Sequence, residues 1–246
     1  KDFTWRETGL QARKIAASLL IMDLPKGSHI AILSKNCAEW FITDLAIMLA
    51  GHVSVPIYST AGEKTIQYVL DHAKCPVIFV GKLDNTEKQV GAVHDGVIKF
   101  AFPYPNIPAD KQWDELLQYS PFLEKPIPAL DSVMTIVYTS GSTGNPKGVV
   151  HNYESICWAA SNSLNELGVN QNDRVLSYLP LAHITERVLV EISSFYSGTR
   201  INFIESLETF ARDVRATRPT LMISVARLWT RFQMGVLANM RQKKLN

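Results

Sequence analysis

The sequence predicts an α/β fold of largely parallel sheets flanked by helices. Helix-period segments alternate with short apolar runs through the first eighty or so residues, the pattern of a parallel sheet covered by crossover helices. Those runs are continuously apolar rather than alternating, as in strands buried on both faces. Helix-start spacings recur at Thr4/Glu7, Asn36/Glu39 and Thr60/Glu63, each a hydroxyl or amide residue followed three positions later by glutamate.

The elements follow in order. After Thr4, residues Ala12, Ile15, Ala16 and Leu19 recur at helical intervals, and the helix should end before Pro25-Lys26-Gly27. His29 to Leu33 reads as a short buried strand. Asn36 opens an apolar helix that stops at Gly51, and Val53 to Tyr58 is the next strand. Thr60 opens a third helix ending near Ala73, and Pro76 to Val80 gives a third strand. From Ser120 to Leu130 the pattern lapses into a stretch bearing Pro121, Pro126 and Pro128, read as a link between two subdomains. The expected division is residues 1–130 and residues 131–246. In the second part Val133 to Thr139, Val175 to Leu179, Thr199 to Ile204 and Leu221 to Val225 are strand-like. Tyr153 to Leu164 and Ala226 to Met240 are helix-like, and no internal repeat or low-complexity segment is visible.

Composition narrows the function. The chain has 246 residues, 46% hydrophobic and 20% charged, as in ordinary globular proteins. A formal charge of +2 and the lack of a basic stripe argue against a nucleic-acid surface. Lys243 and Lys244 read as a solvated tail. Cys37, Cys75 and Cys157 are far apart and lie in or beside apolar segments, so they should act as small hydrophobes in a reducing compartment rather than as metal ligands. The most apolar stretch, Trp40 to Tyr58, is broken by Asp44, Gly51, His52 and Pro56 and is unfit to span a bilayer. No signal peptide is visible, and a start at Lys1 on a helix signal suggests a piece of a longer chain.

The chemistry concentrates in Tyr138-Thr139-Ser140-Gly141-Ser142-Thr143-Gly144-Asn145-Pro146-Lys147-Gly148, which follows a buried strand directly. It holds four aliphatic hydroxyls, three glycines and one lysine in eleven residues. Glycines let the backbone turn its N–H groups toward a phosphate, hydroxyls add donors without bulk, and lysine adds positive charge. A Walker A loop fails here, because Pro146 replaces its second glycine and Gly148 its magnesium-binding hydroxyl. There is no G-x-G-x-x-G to support a dinucleotide site. A plain flexible turn is the rival reading, opposed by the position between two strongly apolar segments.

Residues 139–148 resemble the phosphate-loop motif of the adenylate-forming superfamily, which includes acyl-CoA synthetases, luciferases and peptide-synthetase adenylation domains. That resemblance implies a loop of Thr139, Ser140, Gly141, Ser142, Thr143, Gly144 and Lys147 that holds the triphosphate of ATP while a substrate carboxylate attacks the α-phosphorus. Phosphoryl transfer of this kind needs positioning and charge neutralisation rather than a nucleophilic side chain. A second segment, Leu179-Pro180-Leu181-Ala182-His183-Ile184-Thr185-Glu186-Arg187, is similar to one in long-chain fatty acyl-CoA synthetases. By that resemblance His183 is the candidate catalytic residue, near the carboxylate or adenylate, and Glu186 and Arg187 line or brace the same cleft. A structural histidine and a solvated helix pair are the plain alternatives. Some relatives carry a tunnel-gating tryptophan where this chain has Arg187, so no gate is carried over.

Two flanking stretches extend the likeness over nearly the whole chain: Val55 to Thr60 with Val77 to Val80, and Arg218-Pro219-Thr220 with Ser224 to Trp229, where Ala226 replaces a proline. The fold implied is an incomplete N-terminal domain of an adenylate-forming enzyme. The implied parent is a long-chain fatty acid–CoA ligase using ATP, CoA and Mg2+ on a fatty acid, located in the cytoplasm with peripheral membrane contact left open. The magnesium-binding glutamate, ribose-binding aspartate and catalytic lysine of the family have no counterpart here; they would lie in the missing C-terminal part of the same polypeptide. The segment alone is therefore expected to be inactive. A fatty acyl-AMP ligase or another acid–CoA ligase is the alternative within the superfamily, and a non-catalytic anion-binding module the alternative outside it.

Overall fold

A computed structural model describes residues 2–140, 144–224 and 226–239. It begins with a reciprocal cap. The Thr4 hydroxyl accepts from the Glu7 N–H at 3.2 Å, and the Glu7 carboxylate accepts from the Thr4 N–H at 2.7 Å. This starts helix α1 (Trp5–Leu20) where the spacing predicts it. β1 (His29–Leu33), α2 (Ala38–Leu49), β2 (Val53–Ile57), α3 (Glu63–Ala73) and β3 (Val77–Val80) follow in the expected order. Next come α4 (Thr86–Gly91), β4 (Ile98–Ala101), β5 (Lys111–Gln112) and α5 (Trp113–Leu116). Beyond the proline-bearing stretch lie β6 (Val133–Thr139), β7 (Lys147–Asn152), α6 (Tyr153–Leu167), β8 (Arg174–Ser177) and α7 (Ile184–Glu186). A π-helical stretch, Arg187–Ile192, continues into α8 (Ser193–Ser197), then β9 (Arg200–Phe203), α9 (Phe210–Thr217) and α10 (Ala226–Asn239).

β1 to β7 form one sheet in the order β5-β4-β3-β1-β2-β6-β7, parallel except for the antiparallel pair β6–β7. β8 and β9 form a second, two-stranded parallel sheet. Side chains of β1 alternate between two cores, as pleating requires. Ile30 and Ile32 pack with Ala12, Ile15 and Leu19 of α1 and Trp40 and Ile47 of α2. Ala31 and Leu33 pack on the other face with Ile66, Val69 and Leu70 of α3. Burial on both faces is why the strand reads as an unbroken apolar run.

The structure corrects three local expectations. Asn36 does not cap α2: the N-cap is Cys37, with no side-chain hydrogen bond, and the Asn36 amide is engaged elsewhere. Gly62 rather than Thr60 is the N-cap of α3. The strand expected over Leu221 to Val225 is reduced to a single bridge between Leu221 and Val175, with Val225 outside the described residues. Met240, Lys243 and Lys244 also lie outside them. The large sheet draws strands from both sides of residue 130, since β6 joins β2 with Thr135 opposite Ser54.

Candidate functional site

The hydroxyl- and glycine-rich segment is the tip of the β6–β7 hairpin, beside the outermost strand of the sheet. Thr139, the last residue of β6, is the ladder partner of Lys147, the first of β7. Directly opposed residues share a face, so the Thr139 hydroxyl and the Lys147 stem project to the same side. Thr135, Val137, His151 and Val149 lie on that side as well. Thr139, Ser140, Gly144 and Lys147 are exposed, and Gly144 has φ +97°, a backbone state that side chains rarely adopt. Gly141, Ser142 and Thr143 lie outside the described residues.

The opposite face of the hairpin is packed. Tyr138 is buried, and its hydroxyl lies 2.7 Å from His72 Nδ1 on α3. Its ladder partner is Gly148, where an added Cβ would lie 2.9 Å from Ile136 Cγ2 and 3.3 Å from the Tyr138 ring. Gly148 thus makes room for Tyr138, a packing role that fixes the base of the hairpin.

His183 is exposed and is the N-cap of α7. Its Nδ1 accepts from the Thr185 N–H at 3.2 Å, so in the neutral ring the proton sits on Nε2, leaving that nitrogen as a donor. The turn before it, Tyr178 to Ala182, follows the carboxyl end of β8. The turn after β1, which holds Asn36, and the hairpin tip after β6 also follow carboxyl ends of parallel strands, where α/β sheets place their ligands.

Glu186 and Arg187, adjacent in sequence, enter two separate buried nodes, each side chain only 1% exposed. The Glu186 Oε1 accepts from Ser177 Oγ at 2.7 Å and from the Tyr178 N–H at 3.1 Å. Burial outweighs those two bonds and raises its pKa to about 8, so it stays protonated at neutral pH. The Arg187 guanidinium is ion-paired with Asp44 of α2 and, at 3.3 Å, with Glu191. It also donates to Thr135 Oγ1 at 2.6 Å and Ser54 Oγ at 3.2 Å, and lies 5.2 Å from the centroid of the Trp40 ring. Burial alone would lower its pKa, but the Asp44 and Glu191 carboxyls outweigh burial and raise it. Glu191 is pushed well up, first by burial and then by the Asp44 charge, against the pull of Arg187. Neither Glu186 nor Arg187 faces solvent, and bracing is the role this geometry accommodates.

Arg187 links the two halves of the candidate site. It follows His183 by one helical turn and binds Thr135, which precedes Thr139 by four residues on β6. Four residues of strand place Thr139 roughly 13 Å further along the same face. The hairpin tip suits an anion such as the phosphate chain of ATP, with two hydroxyls and an ammonium exposed beside a left-handed glycine. Among the described residues no group of three His, Cys, Asp or Glu side chains is arranged to hold a metal ion. The sequence pattern does not single out Thr135, Ser177 or Glu191, and it marks Asn36 only as a helix cap and Asp44 only as a break in an apolar stretch. The available signal was polarity in apolar surroundings, as with Asp44 inside the helix from Ala38 to Leu49 and Glu191 inside Val188-Leu189-Val190-Glu191-Ile192.

A family model described as AMP-binding enzyme matches residues 1–246. Fatty acyl-CoA synthetase A of Dictyostelium discoideum is 32% identical, over 94% of this chain and 37% of its own length. Long chain acyl-CoA synthetase 6, peroxisomal, of Arabidopsis thaliana is 31% identical, over 96% of this chain and 36% of its own length. The chain therefore spans less than two fifths of these curated relatives. Among solved structures, O-succinylbenzoate Coenzyme A synthetase of Bacillus subtilis, in complex with AMP, superposes with a TM-score of 0.77 at 22% identity. That match covers 98% of this chain and 60% of the other, and it bears on the fold alone.

Proposed function

The chain belongs to the AMP-binding enzyme family, and from that premise we propose that it is the N-terminal part of a long-chain fatty acid–CoA ligase. In the first reaction a fatty-acid carboxylate attacks the α-phosphorus of ATP, forming acyl-AMP and releasing pyrophosphate. In the second the CoA thiol attacks the acyl carbonyl and displaces AMP, leaving the thioester. The observation that carries this reading is the hairpin tip, where Lys147 stands opposite Thr139 with Ser140 and Gly144 exposed beside them. In this reading Thr139, Ser140, Gly141, Ser142, Thr143, Gly144 and Lys147 hold the triphosphate, and the Lys147 ammonium offsets charge on the departing pyrophosphate. His183, with Nε2 free to donate, is assigned to the carboxylate or the adenylate.

Magnesium belongs to the proposal as the partner of the triphosphate. A hard cation of this kind is commonly held by phosphate oxygens, water and one or two carboxylates. No such carboxylate is assigned here, because Asp44, Glu186 and Glu191 are sealed in the buried nodes. The remainder of the polypeptide is proposed to supply the other nucleotide contacts, and a cytoplasmic location with peripheral membrane contact is part of the same reading. No helix among the described residues is long and apolar enough to cross a membrane.

The direct test is Lys147→Ala in the full-length polypeptide. Losing a charge-assisted phosphate contact should slow acid-dependent ATP–pyrophosphate exchange by about ten- to a hundredfold. An unchanged exchange rate would show that Lys147 does not contact the phosphates.

A further inference from the structure

Asn36 sits in the turn after β1, and its amide is only 9% exposed. It is of a residue type favoured at helix N-caps but stands one residue before Cys37, the N-cap of α2, which makes no side-chain cap hydrogen bond. Instead, all the polar capacity of Asn36 is directed at one segment more than 140 residues away. Asn36 Oδ1 accepts from the Leu181 N–H at 3.1 Å, and Nδ2 donates to the Leu179 carbonyl at 2.7 Å. The same nitrogen donates to Ser177 Oγ at 2.8 Å and makes a longer contact of 3.5 Å to Glu186 Oε1. Ser177 Oγ in turn donates a hydrogen bond to Glu186 Oε1, which also accepts from the Tyr178 N–H.

Three buried side chains thereby hold the turn from both ends. Asn36 grips the peptide groups on either side of Pro180, while Glu186 and Ser177 tie the start of the turn to the helix beyond it. Between these anchors the chain has one exposed polar side chain, His183, held in turn by its N–H donation to the Pro180 carbonyl at 2.8 Å.

We propose that Asn36 is a positioning residue for His183: its amide clamps the Leu179–Leu181 turn so that the imidazole is presented at a fixed place in the candidate site. The proposal rests on the functional reading above. It predicts that Asn36 acts only through His183, and a double-mutant cycle reads that dependence directly. In the full-length polypeptide, Asn36→Ala should lower kcat for acid-dependent ATP–pyrophosphate exchange by roughly tenfold, because the turn carrying His183 loses its contacts at Leu179 and Leu181. The KM for ATP should stay within about twofold, because the phosphate hairpin stands on a different strand. In a His183→Ala background the same change should cost less than about twofold.

Ser177→Ala, which removes one hydroxyl and adds no bulk, carries the same cycle if Asn36→Ala folds poorly. Hydrogen exchange gives a readout independent of activity: the Leu181 amide should lose protection in Asn36→Ala, while the amides of β6 should not. Multiplicative losses in the cycle, or an unchanged Leu181 amide, would overturn the clamp while leaving the ligase reading intact. Absence of exchange with every acid in the wild-type full-length polypeptide would instead overturn the ligase reading, and the clamp with it.

Discussion

Glu186 shows how burial sets charge at a single residue. Its pKa is raised from 4.5 to about 8, so across that interval the folded protein holds a proton that the unfolded chain has released. The stabilisation is fully present below the unfolded value and is lost as pH rises through the folded one. Glu191 is shifted in the same direction and adds to the trend. Glu186→Gln removes one of these ionisations, so denaturant midpoints followed from about pH 5 to about pH 9 should fall less steeply in the variant. Parallel curves would mean that Glu186 is already ionised in the folded protein. Arg187 is the opposite case, a buried cation flanked by two carboxyl groups. Arg187→Met should destabilise the fold by ~3–5 kcal/mol in chemical denaturation, because it leaves the Asp44 charge buried without its partner; a loss under about 1 kcal/mol would contradict the pairing. Lys147 and Thr139 were legible in the sequence as candidates, because the hydroxyl- and glycine-rich pattern around them is local. The partners of Arg187 were not, since Asp44, Ser54 and Thr135 come together only through the folding of α2, β2 and β6.

At the scale of elements, local spacing locates the Thr4/Glu7 cap and the first three strands but misplaces the caps of α2 and α3, which fall on Cys37 and Gly62 rather than Asn36 and Thr60. The Thr4/Glu7 box and the runs that became β1, β2 and β3 depend on neighbours a few residues away or on burial of both strand faces. β7 was missed because Lys147 to Asn152 is mostly exposed or half-buried, so it shows neither a continuous apolar run nor a clean alternation. The π-helical stretch from Arg187 to Ile192 leaves no pattern in composition, and within it Glu191 stands four residues after Arg187 and pairs with its guanidinium. The hairpin makes its own prediction. Gly148→Val should cost ~1–3 kcal/mol, because its Cβ would lie 2.9 Å from Ile136 and press on the Tyr138 ring. Gly9→Ala in α1, with nothing within 4 Å of the added carbon, should instead gain ~0.5–1 kcal/mol of helix stability. Thermal or urea unfolding of the two variants checks both signs, and equal effects would contradict the packing account of Gly148.

For the molecule as a whole, the proposed subdomains 1–130 and 131–246 share the seven-stranded sheet, with the proline-bearing stretch as a covalent link outside it. Leu123 and Ile127 in that link are 79% and 94% exposed, so proteolysis should nick it first. The two pieces should then remain together on gel filtration, held by the β2–β6 pairing and by the Arg187 node that joins α2 to the second part. Separation without denaturant would contradict that contribution. In the proposed function, activation of a long-chain acid's carboxylate takes place at the site built from the hairpin and His183. It is tested most directly by ATP–pyrophosphate exchange in the full-length polypeptide, measured with acids of increasing chain length. The expected result is acid-dependent exchange that rises toward long-chain acids. Exchange that no carboxylic acid stimulates, in a well-folded preparation, would contradict it.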